Sequence, residues 1–593
     1  SEFEIRNQYS HQYENINQPR ITHIAYKIDL YPEDRNLDVE ANAMMRNAGG
    51  KQIDSIHFSM IEGFDITIEL PNATTVLDDK DHLYRIYKLN QPLQPGDSIP
   101  LKITSSYNCR GFENEVRVTQ IVANGSFFNN AEVLPQIGYQ AGNEVTDKNR
   151  RKKCKLPERD RMPALTHDCT DQCMNTYLSN SSDWVNVETV MSTSKDQVVV
   201  APGSLLKEWT EGDRRYFHYK LDHPSMNFYS FISARYEVKR DKFKDIDVEV
   251  YYTKGHEYNV DKMMNSLKSS LKYFTENFGP YYHHQTRIIE FPRYASFAQA
   301  FPGTMPYSES IGFIENLEDP EDIDMVYYIV AHEMGHQWWA HQVIGANMQG
   351  ATLLSETMAQ YSALMVMEEL YGKEQMHKFL KYEMDRYLRS RGTETIKETP
   401  LLKVEEQGYI HYRKGSVVMY YLKEMIGEDN INKALKNMID SFAYRNPPYP
   451  NSYNLVDRFE QQTPDSLKYL VKDLFYDITV FNNRTLDASY KKLATDQFEV
   501  TIHVQSEKFK ADSLGKETKV GISDWIEIGA LAAPADGKKV GKQLYSQRVK
   551  VAAEKNTYTF VVNQQPDKAG IDPNYYLVDR MPDDNLKDTE EKQ

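Results

Sequence analysis

Apolar and polar residues alternate along the first third of the chain. Ile24, Tyr26 and Ile28 recur at every second position, and similar short stretches follow with Pro, Gly and Asn between them. Successive side chains of a β-strand point to opposite faces of the sheet, so a period of two is typical of half-buried strands. The pattern predicts an antiparallel, sheet-rich domain over residues 1–238.

The spacing between apolar residues changes to three or four after residue 240. The change is clearest in a stretch that ends before Gly279 and Pro280 and contains Val260, Met263, Met264, Leu267, Leu271 and Phe274. This spacing puts apolar side chains on one face of a helix, and the Gly-Pro pair ends it. Similar patterns run through residues 325–343, 353–370, 416–425 and 466–475. We therefore predict a mainly helical domain over residues 239–480.

A period of two returns near the end of the chain. Phe498, Val500 and Ile502 alternate with polar residues, which predicts a β-sandwich domain over residues 481–585. Residues 586–593 are mostly charged, and we expect a tail without regular structure there. The fold class that these patterns predict is multidomain α+β.

Composition and charge exclude several classes of protein. The chain has 593 residues, 40% of them hydrophobic and 26% charged, which excludes wholesale disorder. Lys and Arg number 70 against 86 for Asp and Glu, and the net charge of −16 repels phosphate backbones, so nucleic acid is not an expected partner. No apolar stretch approaches the roughly 18 residues of a membrane helix. The first residues are too polar for a signal peptide.

The four cysteines all lie in the first third of the chain, at Cys109, Cys154, Cys169 and Cys173. An even number of cysteines suits one or two disulfides in a protein outside the cytoplasm, so we expect at least one disulfide among them. Four unrelated buried thiols are the first alternative. A structural zinc site at Cys169 and Cys173 is the second, although the spacing between these two residues is atypical for one.

The segment His332-Glu333-Met334-Gly335-His336 is an H-E-x-x-H motif on a predicted helix. Residues four apart on a helix share a face, so both imidazoles can converge on one zinc ion. Apolar residues precede the motif and two tryptophans follow it, and we therefore expect this helix to be buried. The alternative is a pair of unrelated surface histidines. Buried neighbouring histidines need a partner, which a metal supplies.

A catalytic zinc takes a third protein ligand and leaves one position open. The metzincin pattern requires glycine three and histidine six positions after the second ligand, where this chain has Trp339 and Gln342. Glu356 begins an apolar helical stretch, so its carboxylate can face the first helix. Its alternative role is that of a helix-capping acid. We predict that His332, His336 and Glu356 are the zinc ligands.

The motif and the glutamate that follows it resemble the aminopeptidase N family of gluzincin metallopeptidases. In that family eighteen residues separate H-E-x-x-H from the glutamate, whereas nineteen do here, and the extra residue fits the loop between Gly345 and Gly350. The family's catalytic tyrosine precedes Lys-Gly, which matches Tyr412 before Lys414 and Gly415. Its amine-reading G-x-M-E-N segment corresponds by position to residues 303–314. There Glu309 takes the place of the glutamate, while the methionine and asparagine are not kept.

The resemblance implies a fold and an activity. The fold is a thermolysin-like catalytic domain between two β domains, and the activity is zinc-dependent release of N-terminal residues from peptides, with one Zn²⁺ per chain. Glu333 would act as the general base, and Tyr412 would stabilise the oxyanion of the tetrahedral intermediate. Glu309 would pair with the α-ammonium group of the peptide substrate.

Segments near both ends resemble the peptidase region fused to bacterial ABC transporter permeases. They are residues 13–15, 18–22, 29–32, 138–139 and 578–585. This branch implies a domain on the periplasmic side of the cytoplasmic membrane that is tethered to a permease region, which agrees with the expectation of a disulfide.

Two other functions stay open. An endopeptidase of the thermolysin kind tolerates variable spacing before the glutamate and needs no amine anchor. A non-catalytic sensing or scaffolding domain of a transporter would keep the fold. The presence of Glu333 and Tyr412 argues against this second alternative, since neither residue is needed to bind a metal.

Overall fold

The structure is a computed structural model. It describes residues 12–109, 111, 118–145, 147–157, 161–317, 319 and 321–592. Residues 1–11 of the first predicted domain and residue 593 of the predicted tail lie outside the described residues. The chain forms two compact units, the first made of residues 1–316, 325–348 and 439–450, the second of residues 317–324, 349–438 and 451–593. The predicted domain boundaries stay a prediction.

The first unit is rich in β-structure. Its strands are β1 (Arg20–Tyr31), β2 (Asn36–Arg46), β3 (Ile53–Ser59), β4 (Asp65–Glu69), β5 (Ala73–Asp79), β6 (Tyr84–Leu93), β7 (Ser98–Tyr107), β8 (Ser126–Asn129), β9 (Gln136–Ile137), β10 (Ser182–Ser194), β11 (Val198–Val200), β12 (Ser204–Glu211), β13 (Arg214–Lys220), β14 (Ser230–Ala234), β15 (Glu237–Phe243), β16 (Ile246–Tyr252), β17 (Gln285–Phe291) and β18 (Thr304–Ser308).

The largest sheet of this unit has the strand order β12-β13-β10-β1-β2-β7-β4. Its neighbouring strands are antiparallel except β1 and β10, which run parallel. Along β1 the inward side chains of Ile24, Tyr26, Ile28 and Leu30 are buried, as the period of two predicts. The N-terminal β domain is therefore confirmed.

A smaller sheet, β15-β16-β17-β18, lies within the region predicted to be mainly helical. Its strand β17 is buried at every position. A strand covered on both faces has no reason to alternate apolar and polar residues, and for this reason it leaves no period of two in the sequence. The strand β18 pairs parallel with β17 and ends one residue before Glu309.

The helices agree in part with the sequence prediction. They are α1 (Asn130–Val133), α2 (Lys148–Lys153), α3 (Val260–Asn277), α4 (Met325–Gly335), α5 (Met358–Tyr371), α6 (Met376–Arg391), α7 (Gly415–Ile426), α8 (Glu428–Phe442), α9 (Ser452–Gln462) and α10 (Lys468–Val471). Wider π-helical turns occur at Leu353–Thr357, Tyr409–Lys414 and Lys472–Tyr476. The helix predicted over residues 325–343 is wrong beyond Gly335, because the chain continues in turns and reaches φ +144° at Ala340.

The C-terminal part of the second unit consists of two sheets, as predicted. Its strands are β19 (Ile478–Lys492), β20 (Phe498–Ala511), β21 (Glu517–Val520), β22 (Asp524–Leu531), β23 (Gln543–Val551), β24 (Lys555–Val562), β25 (Lys568–Ile571), β26 (Leu586–Asp588) and β27 (Glu590–Glu591). One sheet has the order β21-β20-β19-β27 with β24 beside β20, and the other has the order β23-β22-β25-β26.

The expectation of an unstructured tail after residue 585 is wrong for the described residues. β26 pairs with β25, and β27 pairs with β19, so sheet hydrogen bonds hold this charged segment. Charged side chains are common on edge strands, which explains why composition alone was misleading.

Cys169 and Cys173 form a disulfide, whereas Cys109 and Cys154 are free thiols. The expected disulfide is confirmed, and a structural zinc at Cys169 and Cys173 is excluded because both sulfurs are used. Within the described ranges, no helix is long and apolar enough to cross a membrane.

Candidate active site

The H-E-x-x-H motif lies at the end of α4 in the first unit, and His336 directly follows the last residue of this helix. His332, Glu333 and His336 are buried, as the apolar flanks predict. Four residues of separation bring the two imidazoles onto one side of the helix, where the Nε2 atoms of His332 and His336 lie 3.1 Å apart. The Nδ1 atom of His336 lies 3.0 Å from the carbonyl oxygen of Trp339 and can only donate to it.

This pair of imidazoles fits a zinc site. Nitrogen ligands about 2.0–2.1 Å from a tetrahedral zinc are separated by about 3.3 Å, close to the separation of the two Nε2 atoms. The proton of His336 is on Nδ1, so its Nε2 atom presents a lone pair. Such an outer hydrogen bond is the usual way in which proteins orient a zinc-binding histidine.

The segment after α4 is fixed to the strands before it. The Gln337 side chain accepts a hydrogen bond from Gly303 N at 2.8 Å and donates one to Phe301 O at 2.9 Å. The indole nitrogen of Trp338 donates to Gly279 O at 3.1 Å. These bonds hold the end of the motif rigidly against the chain that leads into β18.

His341, one position short of the third metzincin ligand, has a structural role. Its Nε2 atom lies 3.0 Å from the carbonyl oxygen of Ala300 and can only donate to it. Burial lowers the pKa of His341 to about 3, so this imidazole is neutral at physiological pH.

Glu309 lies directly after β18, in the first turn of a short helix that the Ser308 hydroxyl caps. One of its carboxylate oxygens accepts a hydrogen bond from Arg293 N at 3.0 Å. Ligand atoms of Glu309, Glu290 and His256 lie within 4.8 Å of one another. Burial raises the pKa of Glu290, which also accepts hydrogen bonds from Thr253 N and from the His256 ring. Glu309 is thus half-buried beside a second carboxylate, Glu290, which pairs with His256.

Tyr307 is a neighbour of Glu333 that the sequence analysis did not single out. The ring is buried at the end of β18, and burial followed by the negative charge of Glu333 raises the pKa of its hydroxyl well above the usual range. The hydroxyl of Tyr307 is therefore close enough to Glu333 to interact with its charge. The only signal in the sequence is its position two residues before Glu309.

In the second unit, Glu356 and Tyr412 both lie in π-helical turns. Glu356 is in the turn Leu353–Thr357, which continues into α5, and Tyr412 is in the turn Tyr409–Lys414, which continues into α7. Turns of this kind are rare and occur frequently at functional sites. Desolvation and the negative charge of Glu356 raise the pKa of Glu406, so a second carboxyl group is close to Glu356.

The two turns are bonded directly to each other. The Thr357 hydroxyl donates to His411 O at 2.8 Å, and the ring of His411 contacts the Thr352 hydroxyl at 3.0 Å. A Cβ atom on Gly415 would lie only 2.7 Å from the methyl group of Thr357. The glycine after Lys414 is therefore required for this close approach, which fixes the position of Tyr412 relative to Glu356.

Each predicted residue now has a place in one of the two units. The first unit brings His332, Glu333 and His336 together on one helix and places Glu309 in a separate carboxylate cluster. The second unit brings Glu356 and Tyr412 together through their two turns. The assignment of these residues to a single reaction centre is a proposal.

Comparison with known proteins agrees with this geometry. Residues 262–474 match the Peptidase family M1 domain. Endoplasmic reticulum aminopeptidase 2 of Homo sapiens is 27% identical over 192 residues, 30% of this chain and 20% of that protein. Probable aminopeptidase 2 of Sulfurisphaera tokodaii is 20% identical over 278 residues, 45% of this chain and 35% of that protein. The chain thus spans a minor part of the length of these relatives.

Solved structures show the same fold. A crystal structure of an M1 zinc metallopeptidase from Deinococcus radiodurans has a TM-score of 0.54 and 14% sequence identity, and the match covers 78% of this chain and 95% of that chain. A mutant of that protein bound to a Tyr-Ser-Ala substrate has a TM-score of 0.53. The chain therefore has the fold of the M1 zinc metallopeptidases.

Proposed function

We propose that this protein is a zinc-dependent aminopeptidase that releases N-terminal residues from peptides. The observation that carries the proposal is the pair of Nε2 atoms of His332 and His336, 3.1 Å apart beside Glu333 in a peptidase family M1 domain. Two imidazoles and an adjacent carboxylate on one buried helix are the arrangement that metal-assisted hydrolysis of a peptide bond needs.

His332, His336 and Glu356 would hold the zinc ion. The donor set of two neutral imidazoles and one carboxylate is the one found in thermolysin-type catalytic sites. A zinc ion in such a site acts as a Lewis acid on the peptide carbonyl and lowers the pKa of water to about 7.

Glu333 would be the general base. It follows the first histidine directly and is therefore rotated by about 100° around the helix, so it is near the metal position without being a ligand. Its carboxylate can take a proton from the attacking water and give it to the nitrogen of the leaving amine.

Tyr412 would stabilise the transition state. Its hydroxyl can donate a hydrogen bond to the oxygen on which negative charge develops, a contribution of about 3 kcal/mol. The bonds between its turn and the turn of Glu356 keep this donor in place before the reaction begins, which is the condition for such stabilisation.

Glu309 would select the free amine of the substrate. An ammonium group beside Glu309 and Glu290 would form charge-assisted hydrogen bonds, which fix which peptide bond reaches the metal. The carboxylates of Glu309 and Glu290 support this role, because they attract a cationic amine and gain no such attraction from a blocked, uncharged end.

We also propose that the protein works outside the cytoplasm, tethered to a membrane permease region of the ABC transporter type. The resemblance of its end segments to that branch supports the tether. The disulfide between Cys169 and Cys173 supports an oxidising environment, since disulfides are rare in cytosolic proteins.

Metal analysis together with free and N-blocked peptide substrates tests the proposed function. We expect about one zinc per chain and hydrolysis of free-amine substrates only. Equal cleavage of blocked peptides would instead indicate a thermolysin-like endopeptidase. Bound zinc without hydrolysis of any peptide would indicate a sensing or scaffolding domain.

A further inference from the structure

Glu383 is a charged residue on the buried face of α6. The other buried side chains of this helix are aliphatic or aromatic, namely Met376, Phe379, Leu380, Met384 and Tyr387. Glu383 has 0% exposure, whereas a carboxylate in such a place is costly unless it is paired. A position that packing alone would fill with an apolar residue therefore holds a charge.

Both oxygens of the Glu383 carboxylate have a partner near the proposed site. The Oε2 atom accepts from the guanidinium of Arg413 at 2.8 Å, and the Oε1 atom accepts from the amide of Gln360 at 3.0 Å. Arg413 is the residue after Tyr412. Gln360 lies four residues after Glu356, on the helix that continues its π-helical turn.

Arg413 is close to the ring of Tyr412 as well as adjacent to it in sequence. Its guanidinium carbon lies 6.0 Å from the centre of that ring and 5.7 Å from the centre of the Tyr382 ring. Holding this guanidinium in place therefore restricts the rotamers that Tyr412 can adopt.

We propose that Glu383 is a positioning residue that sets the hydroxyl of Tyr412 for catalysis by holding Arg413. The bond from Gln360 ties the same carboxylate to the helix of Glu356, so that the tyrosine keeps a fixed place relative to that residue. The inference rests on the proposed function, because it takes Tyr412 as the donor to the oxyanion.

A double-mutant cycle with Glu383→Gln and Tyr412→Phe tests this inference. The glutamine keeps an oxygen that can accept from Gln360 but loses the charge that holds Arg413. We expect Glu383→Gln to lower kcat about 10-fold, with KM changed less than about 2-fold, because the tyrosine acts only in the transition state. In the Tyr412→Phe background the same substitution should lower kcat by less than about 2-fold.

Glu368→Gln is the matched control. Glu368 lies on α5, the helix that carries Gln360, and forms an ion pair with the buried Lys423 at 2.7 Å, but it is about 18 Å along the helix from Glu356. Like Glu383→Gln, the substitution removes one negative charge from an ion pair between two helical segments. It should leave kcat unchanged in both backgrounds.

Two further measurements separate positioning from loss of structure. Zinc retained after dialysis against a chelator should be the same in Glu383→Gln and the parent, since Glu383 is not a proposed ligand. If Glu383→Gln does not fold, Arg413→Gln can replace it in the experiment. This substitution breaks the same ion pair but changes its partly exposed member. It should show the same dependence on Tyr412.

The outcomes distinguish the inference from the function on which it rests. If Glu383→Gln lowers kcat equally in both backgrounds, or lowers it only through loss of zinc, the positioning role is wrong. If Tyr412→Phe itself has full activity, the proposed role of the tyrosine is wrong and Glu383 has nothing to position.

Discussion

Glu333 and the two histidines beside it have roles that a pair of substitutions separates. Glu333→Gln should abolish hydrolysis while about one zinc per chain is retained, because Glu333 supplies a base and not a ligand. His336→Ala should lose both the metal and the activity. Zinc content and hydrolysis of a free aminoacyl substrate check this, and full activity of Glu333→Gln would remove the proposed mechanism.

The Tyr412 hydroxyl should matter in the transition state more than in the bound substrate. Tyr412→Phe should lower kcat on the order of 10²-fold with little change in KM, because charge on the oxygen develops only during the reaction. Tyr409→Phe is a control in the same turn, since the Tyr409 hydroxyl donates to Glu394 at 3.0 Å. Steady-state kinetics measure kcat and KM for both variants. An effect on KM alone would make Tyr412 a substrate-binding residue.

The role of Glu309 distinguishes an aminopeptidase from an endopeptidase. Glu309→Ala should reduce kcat/KM for free-amine substrates roughly 10- to 150-fold, the value of one charge-assisted contact, and blocked substrates should stay poor. Glu257→Ala removes the exposed carboxylate of the residue after His256 and should change neither. If Glu309→Ala cleaves free and blocked peptides as the parent does, the endopeptidase interpretation replaces the proposed one.

At the scale of secondary-structure elements, the close approach of the two π-helical turns depends on Gly415. An alanine in a helix is normally more stable than glycine by about 1 kcal/mol, but here its Cβ would press on Thr357. Gly415→Ala should therefore destabilise the protein by about 1–3 kcal/mol and lower kcat. Thermal unfolding and kinetics measure both effects.

Gly392 provides the comparison for this prediction. It has φ −65° at the end of α6, and an added Cβ would come no closer than 3.6 Å to another atom. Gly392→Ala should be neutral or slightly stabilising. If Gly415→Ala is as stable as the parent protein, the two π-helical turns can move apart without loss of stability, and the prediction is wrong.

The sequence predicted those elements whose pattern has a period. The alternation in β1 and the three-to-four spacing in α3 both follow from one exposed and one buried face. The strand β17 was missed because both of its faces are buried, and the end of α4 at Gly335 was missed because apolar residues continue into the turns after it. The π-helical turns depend on tertiary bonds such as Thr357 to His411, which no local pattern contains.

The sequence predicted those residues of the site that lie close together along the chain. The motif on α4 identified two imidazoles and a carboxylate because four residues of spacing fix their geometry. Glu383 could not be found in this way, since its partners Gln360 and Arg413 lie 23 and 30 residues away in the chain. Its only local signal is a charge at a position where the helix otherwise presents apolar side chains.

At the scale of the whole molecule, acid should act in opposite directions on the two units. In the first unit, burial lowers the pKa of His57 and His283 to about 4 and that of His341 to about 3, below their value in the unfolded chain. The unfolded state then binds more protons as the pH falls below about 6.5, so stability is lost. Each histidine should cost up to about 2 kcal/mol between pH 7 and pH 5.

The second unit contains two buried acids whose pKa values are raised by burial, whereas those of the histidines are lowered. Burial raises the pKa of Asp572 to about 8 and that of Asp579 to about 7. The folded state then binds more protons than the unfolded chain between about pH 4 and pH 8, so lowering the pH from 7 to 5 should stabilise this unit.

Hydrogen–deuterium exchange at pH 7 and pH 5, corrected for intrinsic rates, measures this prediction. Protection should fall in the strands of the first unit and rise in the C-terminal sheets. His57→Gln should weaken the acid effect in the first unit, whereas His284→Gln, with a side chain 78% exposed, should not. Equal loss of protection in both units would contradict the assignment of these shifts.

The turn that carries Glu356 also constrains how the gene for such a chain can change length. A π-helical turn closes over five residues and an α turn over four, so deleting one residue at Leu353–Thr357 would restore ordinary helix. The five residues of the π turn rotate the chain by nearly the same angle as four residues of an α-helix, so the segments before and after the deletion would stay in phase. A deletion inside α5 itself would instead rotate the two sides by about 100° against each other. The gene could therefore lose one codon in the turn without moving the flanking helix, whereas the same loss a few codons later would displace the whole buried face of α5.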